Sequence, residues 1–538
     1  MKVVDSLKTE KSLNSRSVTI RANSFYRAAL IYLSLPVIIF FIGYLKVWWA
    51  LLFSAGIAGA VILAMRDYGK KSPDAALDPS EKKIEIKASC LIFLLIAIPL
   101  FLYWGGVGEF GNCSADHRVR YAILNDLVEY KWPVVYDYST QQNPAVAASL
   151  GSGTAAFAYY FVFWMIPALF GKIFGLLVAR IVLLIWSGIG LFLIFAGASL
   201  LYKRASRALF IFLILFAGFD VIPYVINLIT KTDTTWEGWN SHLFIHGNFF
   251  QIMNVFNQSI PGWLITILLL LAKDGRSIGL LGGLMFCYSP WATIGILPMC
   301  ICKLIITSRA EENGVRKLRL KPLLKNTFTP VNIFPPIIVL IVFGLLYTAN
   351  PNATGDDGFI WKFYDTPFGL LLDYVKYVVF EFGIWLLLIY KRHRKDPMLW
   401  TAVGTLLVLP IYKISVANDF IMRGSMAPAF MIGLYSVMLV TDNFEMCRDN
   451  KLELKKALAG RAVLLIMCVA AYVPVNYVLF NALISYQMHF TDEVNYEDEI
   501  HKIGSFGNII EEEELEVVKK QFFVEDYENT AFFKYLAK

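Results

Sequence analysis

Long apolar runs recur along most of this chain, and several are about 17 to 25 residues, the length that crosses the hydrocarbon core of a bilayer. A backbone in hydrocarbon must satisfy its own hydrogen bonds, which leaves helices or closed barrels. The runs are continuous rather than alternating, so they read as helices. Apolar residues make up 57% of the chain and charged ones 17%, and the mean hydropathy is +0.56. That balance lies outside the soluble globular class. The expected fold class is an all-α polytopic membrane protein with interfacial helices on its outer face.

We read about thirteen spans. They run over Phe25 to Leu45, Val47 to Met65, Ser89 to Trp104, Leu177 to Tyr202, Ala208 to Leu228, Ile260 to Leu271, Gly279 to Pro290, Trp291 to Ile306, Ile333 to Thr348, Asp373 to Tyr390, Met398 to Val416, Ser425 to Val440 and Arg461 to Leu483. The polar, basic start, residues 1–24, has no cleavable signal pattern and is expected on the cytoplasmic side. Thr154 to Gly171 is also apolar. Counting it as a span would put Lys203, Arg204 and Arg207, the run Lys303 to Lys325, and Lys391 to Lys395 on the wrong side. It is therefore expected as a re-entrant or interfacial helix pair on the outer face. The transmembrane module is then 25–483, with a first large outer loop at 105–171. Residues 484–538 form an acidic and aromatic extracytoplasmic tail, expected to pack over the outer loops.

Several functions drop out. Of seven cysteines only Cys113 falls in an outer loop, so there is no disulfide or thiolate framework. The net charge of +7 follows from basic loops on one side and is not a nucleic-acid signal. No phosphate-binding loop or dinucleotide fingerprint appears.

Polar residues in the outer loops carry what chemistry there is. Asp116 stands among His117, Arg118 and Arg120. A carboxylate there suits a general base, and the arginines suit a phosphate leaving group; a solvated loop acid has the same composition. Asp126, in the same loop, reads as helix-surface charge or a substrate contact. Arg423, in Asn418-Asp-Phe-Ile-Met-Arg423, suits a bidentate grip on phosphate, with Asp419 to orient it; an interfacial anchor is the alternative. Asp220 lies inside an apolar run, where a carboxylate is costly. It lines a donor cavity, binds a cation, or pairs with a span residue such as Arg180; Glu381 is similar. Trp236, Glu237, Trp239 and His242 have the composition of a sugar platform and equally of a membrane-interface belt. His242 and His246 suit a metal by spacing but lack a third ligand. No cofactor is required, and a divalent cation is the one left open.

The order of span, outer loop with an acid, then an amphipathic segment with Tyr159, Tyr160 and Trp164 resembles the glycosyltransferase C superfamily. Its members take a sugar from a polyprenyl-phosphate carrier. Ala122-Ile-Leu-Asn-Asp-Leu-Val-Glu-Tyr-Lys-Trp-Pro-Val-Val-Tyr136, Val255-Phe-Asn-Gln-Ser-Ile-Pro-Gly-Trp263 and Asn418-Asp-Phe-Ile-Met-Arg-Gly-Ser425 are similar to an uncharacterised bacterial membrane-protein group. One departure is that His117 and Val119-Arg-Tyr121 stand where that pattern has a Trp and a Lys-His-Asn run. The resemblance implies that Asp116 is the catalytic carboxylate, that Arg423, Arg118 and Arg120 contact the donor phosphate, and that Asn257 and Gln258 belong to the substrate site. It implies an inverting transfer from a polyprenyl-phosphate-linked sugar to a glycan, lipid or protein outside the cytoplasmic membrane. A flippase for a lipid-linked saccharide, or a glycan polymerase or ligase, is the alternative. A flippase is expected to show duplicated halves, and none is visible.

Overall fold

The fold is given by a computed structural model that describes residues 16–70, 79–139, 150, 153–232, 235–240, 242–312, 315–350, 357–415, 418–448, 454–491, 504–509 and 512–538. Seven helices among the described residues are long and apolar enough to cross a bilayer. They are α1 (Ala22–Tyr44), α2 (Val47–Tyr68), α6 (Leu176–Tyr202), α9 (Asn248–Leu271), α11 (Pro290–Thr307), α12 (Pro330–Tyr347) and α16 (Met426–Cys447). A bent pair, α17 (Leu454–Ala470) and α18 (Tyr472–Phe490), joined at 52°, makes an eighth if counted as one span. The protein is therefore an all-α polytopic membrane protein. Shorter apolar helices stand between these, among them α3 (Ala88–Trp104), α10 (Ile278–Tyr288) and α14, Pro397–Val408, and a two-stranded antiparallel sheet, β1 (Ser17–Arg21) with β2 (Lys83–Lys87), leads into α1 and α3.

The outward faces are hydrocarbon-like, as lipid requires. Trp48 and Leu51 on α2 and Leu95 on α3 are largely uncovered, a surface that would aggregate in water. The inward faces converge on α9, whose apolar window is 89% buried and which packs against α6, α10, α16 and α18. Trp263 of α9 stacks on Phe430 of α16 at 5.2 Å, and Tyr32 of α1 stacks on Trp186 of α6 at 4.1 Å.

Three expected elements differ. The run Ala208 to Leu228 is not one span but two short helices, α7 (Arg207–Ile214) and α8 (Val221–Thr230). At about 1.5 Å per residue neither crosses a bilayer. The unwound link between them finds its hydrogen bonds elsewhere, Phe219 N–H donating to Phe380 O at 2.8 Å and Asn248 N–H to Phe216 O at 2.8 Å. The acceptor Phe380 lies in a π-helical stretch, Tyr377–Gly383, between α13 (Pro367–Lys376) and a continuing helix, Ile384–His393. Thr154 to Gly171 is not a helix pair either. It opens with a strand, β4 (Thr154–Phe157), and only then becomes helical, in α5 (Met165–Phe174). The span expected at Ile260 begins at Asn248, with a kink at Val255 (φ −139°, ψ 34°) that changes which side chains share a face.

The tail is woven into the long loop between α3 and α6. Strands β3 (Val135–Asp137), β4 and β5 (Phe523–Val524) form an antiparallel sheet, with Tyr136 opposite Ala155 and Phe157 opposite Phe523. Asp126, on α4 (Ala115–Glu129), is completely buried. Its Oδ2 accepts from Tyr136 O–H at 2.7 Å and from Phe506 N–H at 3.0 Å. Neither a helix-surface charge nor a substrate contact, it anchors the tail. The chain end returns to α1, Lys538 N–H donating to Tyr44 O at 3.0 Å. Glu511 lies outside the described residues.

Candidate functional site

Asp116 occupies the first turn of α4, where the helix dipole favours a negative charge. Three contacts hold that turn in place. Ser114 O–H donates to Asn254 Oδ1 of α9 at 2.7 Å, Asn112 side-chain N–H donates to Asn481 Oδ1 of α18 at 2.8 Å, and His117 Nε2 lies 2.6 Å from Met253 O. His117 is buried, which with the neighbouring Arg120 pushes its imidazole down to about 4. The neutral ring carries its proton on Nε2 and donates it to the carbonyl. This is a structural latch, so the substrate contact expected of His117 is corrected.

The Asp116 side chain is 57% exposed and its Oδ2 accepts from Arg120 Nη2 at 3.0 Å. Arg120 is mostly buried, and its second terminal nitrogen has no hydrogen-bond partner among the described residues. The side chain of Arg118 lies outside the described residues.

A second ion pair comes from the far end of the chain. Asn418 adopts a left-handed backbone (φ 50°) and caps the short helix α15 (Asp419–Gly424), with its side chain accepting from Ile421 N–H. Within α15, Arg423 Nη1 lies 2.8 Å from Asp419 Oδ1, and the guanidinium sits 5.5 Å above the Tyr160 ring. Arg423 Nε is buried and unpartnered. Arg423 and Asp419 face a cavity of about 510 Å³ with Tyr159, Tyr160, Trp291 and Tyr347, and with Gln521 of the tail. α15 sits close because Gly295 of α11 has no side chain; a Cβ there would lie 1.8 Å from Gly424 O.

The two pairs belong to one electrostatic neighbourhood. Tyr159 interacts with Arg423, Arg120 and Asp419, and His246 with Asp116, Arg423 and Asp419. His246 Nδ1 is 3.0 Å from Glu237 Oε2 and Nε2 is 2.9 Å from Met422 Sδ. Burial pushes Glu237 up to about 8 and His246 down to about 3. At neutral pH the carboxyl therefore keeps the shared proton and donates it to Nδ1, while Gly247 N–H donates to Glu237.

The 236–246 loop folds inward, which corrects the sugar-platform reading of two of its residues. Glu237 and Trp239 are buried, and the Trp239 indole N–H donates to Glu381 Oε1 at 2.9 Å. Trp236 is half-buried and donates to Tyr224 O–H at 3.1 Å. His242 lies 5.7 Å from the rings of Phe363 and Tyr364. The segment carrying His242 and His246 is not helical, so their spacing does not stack them on one face. Among the described residues no group of three or more His, Cys, Asp or Glu is placed to hold a metal ion.

Asp220 is 1% exposed, and its neighbours are Glu237, Glu381 and Trp239. The expected partner Arg180 pairs instead with Glu109, at 3.6 Å. On α9, Asn257 and Gln258 are each 1% exposed, and no polar atom of either side chain has a partner among the described residues. Buried amides are costly without partners, so this stretch of α9 carries uncompensated polar atoms inside the bundle.

The sequence reading had Asp116, Arg120, Asp419 and Arg423, and in the structure they form two ion pairs, Asp116–Arg120 and Asp419–Arg423, whose charges act on Tyr159 and His246. It gave His246 only as half of a metal pair and had nothing at Met422 or Trp291. No local signal identifies these two, because both are ordinary half-buried apolar residues until α15 is laid against α11. Comparison of the chain with protein-family models, with characterised proteins and with solved structures finds no match.

Proposed function

We propose that this protein is a glycosyltransferase of the cytoplasmic membrane that moves a sugar from a polyprenyl-phosphate-linked donor to an extracytoplasmic glycan, lipid or protein. In this reading the fold is of the glycosyltransferase C type with about thirteen crossings, the N-terminus cytoplasmic and the tail outside. The observation that carries it is the pair Asp419–Arg423, which acts with Arg120 on Tyr159 and with Asp116 on His246, beside a groove suited to a lipid. That groove, of about 620 Å³, is apolar, lies between α10, α11 and α12, and shares Phe286, Pro290 and Trp291 with the Arg423 cavity.

The chemistry follows from the parts. The polyprenyl chain lies along the groove and Arg423 binds the phosphate with its planar fork, as a lysine cannot. Asp116, the most exposed carboxylate of the group, takes the proton of the acceptor hydroxyl as its oxygen attacks the anomeric carbon. The bond from that carbon to the phosphate oxygen breaks, polyprenyl phosphate leaves with the electron pair, and the configuration inverts. Arg120 balances charge as the phosphate departs.

The buried trio Asp220, Glu237 and Glu381 favours a second reading, since carboxyls sealed among helices are also the parts of a proton-coupled transporter. The test is transfer by purified protein in nanodiscs, offered a panel of polyprenyl-phosphate sugars with membrane-extract acceptors. Asp116→Asn is expected to lower turnover at least about 100-fold while donor binding is retained. Equal turnover by the variant removes Asp116 from the mechanism. No transfer from any donor, together with movement of lipid-linked saccharide across liposomes, supports the transporter.

A further inference from the structure

A second large cavity lies at the other end of the molecule. Arg180, near the start of α6, stacks over Tyr121 of α4 at 4.4 Å; α6 then runs to Tyr202, so Lys203 lies about 35 Å away at 1.5 Å per residue. There the ends of α6 and α16 and the starts of α3 and α7 surround a cleft of about 1030 Å³.

Five cations line it, Lys87, Lys203, Arg204, Arg207 and Arg448, against only Glu85 and Glu445. Glu445 is taken by Arg204. The other four cations have no carboxylate partner among the described residues. Lys203 is held outward by a left-handed backbone (φ 62°) at the end of α6, and the Arg207 guanidinium sits 5.9 Å above Phe93. The field is felt nearby, because Lys82 is pushed below the usual lysine range by burial and then by Lys203. Two helix starts, at Ala88 and Arg207, turn their positive dipole ends to the same place.

One wall of the cleft is apolar. Phe93, Phe212 and Phe444 line it beside the cations, and α3, which carries Phe93, leaves Leu95 and Ile96 largely uncovered on its next turn. Phe444 is itself 38% exposed.

We propose that this cleft binds the phosphate headgroup of an anionic phospholipid, with an acyl chain lying along the Phe93, Phe212 and Phe444 wall. A free phosphate would answer the cations but leave the aromatic wall uncovered, whereas a lipid fits both. The site is independent of the function proposed above, since it lies a full span away from Asp116 and Arg423.

Lipid retention settles the matter. Protein is extracted from nanodiscs of phosphatidylcholine carrying a minor share of phosphatidylglycerol, and bound lipid is counted by native mass spectrometry. Wild type is expected to retain phosphatidylglycerol over phosphatidylcholine, and millimolar glycerol phosphate is expected not to displace it. A cation near an anionic surface contributes about a fivefold factor, so Lys203→Gln with Arg207→Gln is expected to lose about thirtyfold. Lys321→Gln with Lys325→Gln, which removes two exposed cations elsewhere, is expected to change nothing. Lys203→Arg with Arg207→Lys keeps the charge and is expected to keep the lipid, which separates lost binding from lost folding. Equal loss in the Lys321 and Lys325 control means unspecific attraction and overturns the proposal. So does displacement by glycerol phosphate, which marks a site for a soluble anion, and so does an absence of lipid preference in wild type.

Discussion

Docking of the tail should depend on pH through one carboxyl. Asp126 lies completely buried beneath the tail, and burial pushes it up from 3.8 to about 6, opposed by its bonds from Tyr136 and Phe506 and reinforced by the nearby charge of Glu129. An acid whose folded value is raised contributes stability that is complete below the unfolded value and is lost as pH rises through the folded one. Docking is therefore strongest below about pH 4, weakens from there to about pH 6, and is level above. The span is about two pH units at about 1.4 kcal/mol each, or about 3 kcal/mol, which is about a hundredfold in the opening equilibrium. Hydrogen exchange at the Phe506 amide and along β5, corrected for intrinsic rate, measures that equilibrium at pH 4.5 and 7.5, an interval that takes in about 25-fold of the change, or about 2 kcal/mol. Asp126→Asn retains an oxygen for the Tyr136 hydroxyl and the Phe506 amide but cannot ionise, so its corrected protection is expected to be the same at both pH values. Asp126→Ala leaves both donors without an acceptor and is expected to open the tail by about 1–3 kcal/mol at any pH. A wild type with no slope, or an Asn variant that keeps it, refutes the reasoning.

Other expectations rest on single contacts. Gly295→Ala places a methyl 1.8 Å from the Gly424 carbonyl, which backbone cannot yield cheaply. It is expected to destabilise by about 1–3 kcal/mol or more and to displace Arg423, read as a lowered Tm together with weakened donor binding. Arg423→Lys keeps the charge but loses the fork, and is expected to weaken binding of a polyprenyl-phosphate donor by about tenfold or more in a direct titration. Glu237 has a folded value raised to about 8, so its loop is expected to loosen as pH rises from about 4.5 through 8. Glu237→Gln is expected to remove that loss, read by exchange at the Gly247 amide.

What the sequence made legible was set by forces that act locally. Hydrocarbon thickness fixes the length of a span, so α1, α2, α6 and α16 lie close to where composition puts them. Isolated charges in the short polar links of an apolar chain have few causes, which is why Asp116 and Arg423 stood out. The misreadings share a different cause, in that each was decided by a partner far away in the chain. Phe216 to Val221 is apolar enough to continue a helix, and it unwinds because Phe380, about 160 residues later, offers a free carbonyl where a π-helical turn releases it. Trp239 and Glu237 have the composition of a sugar platform, an interface belt and a buried plug alike; only Glu381 and His246 as partners make them a plug. Asp126 is the sharpest instance. On its own helix it is an ordinary polar position, and its burial depends on a tail strand that pairs with β4 on the edge opposite β3. Because the tail also carries Gln521 into the wall of the Arg423 cavity, the same buried carboxyl that fixes the tail helps to fix the shape of that cavity. Releasing the tail should then alter ligand binding at Arg423 even though Asp126 touches none of the residues that line the cavity.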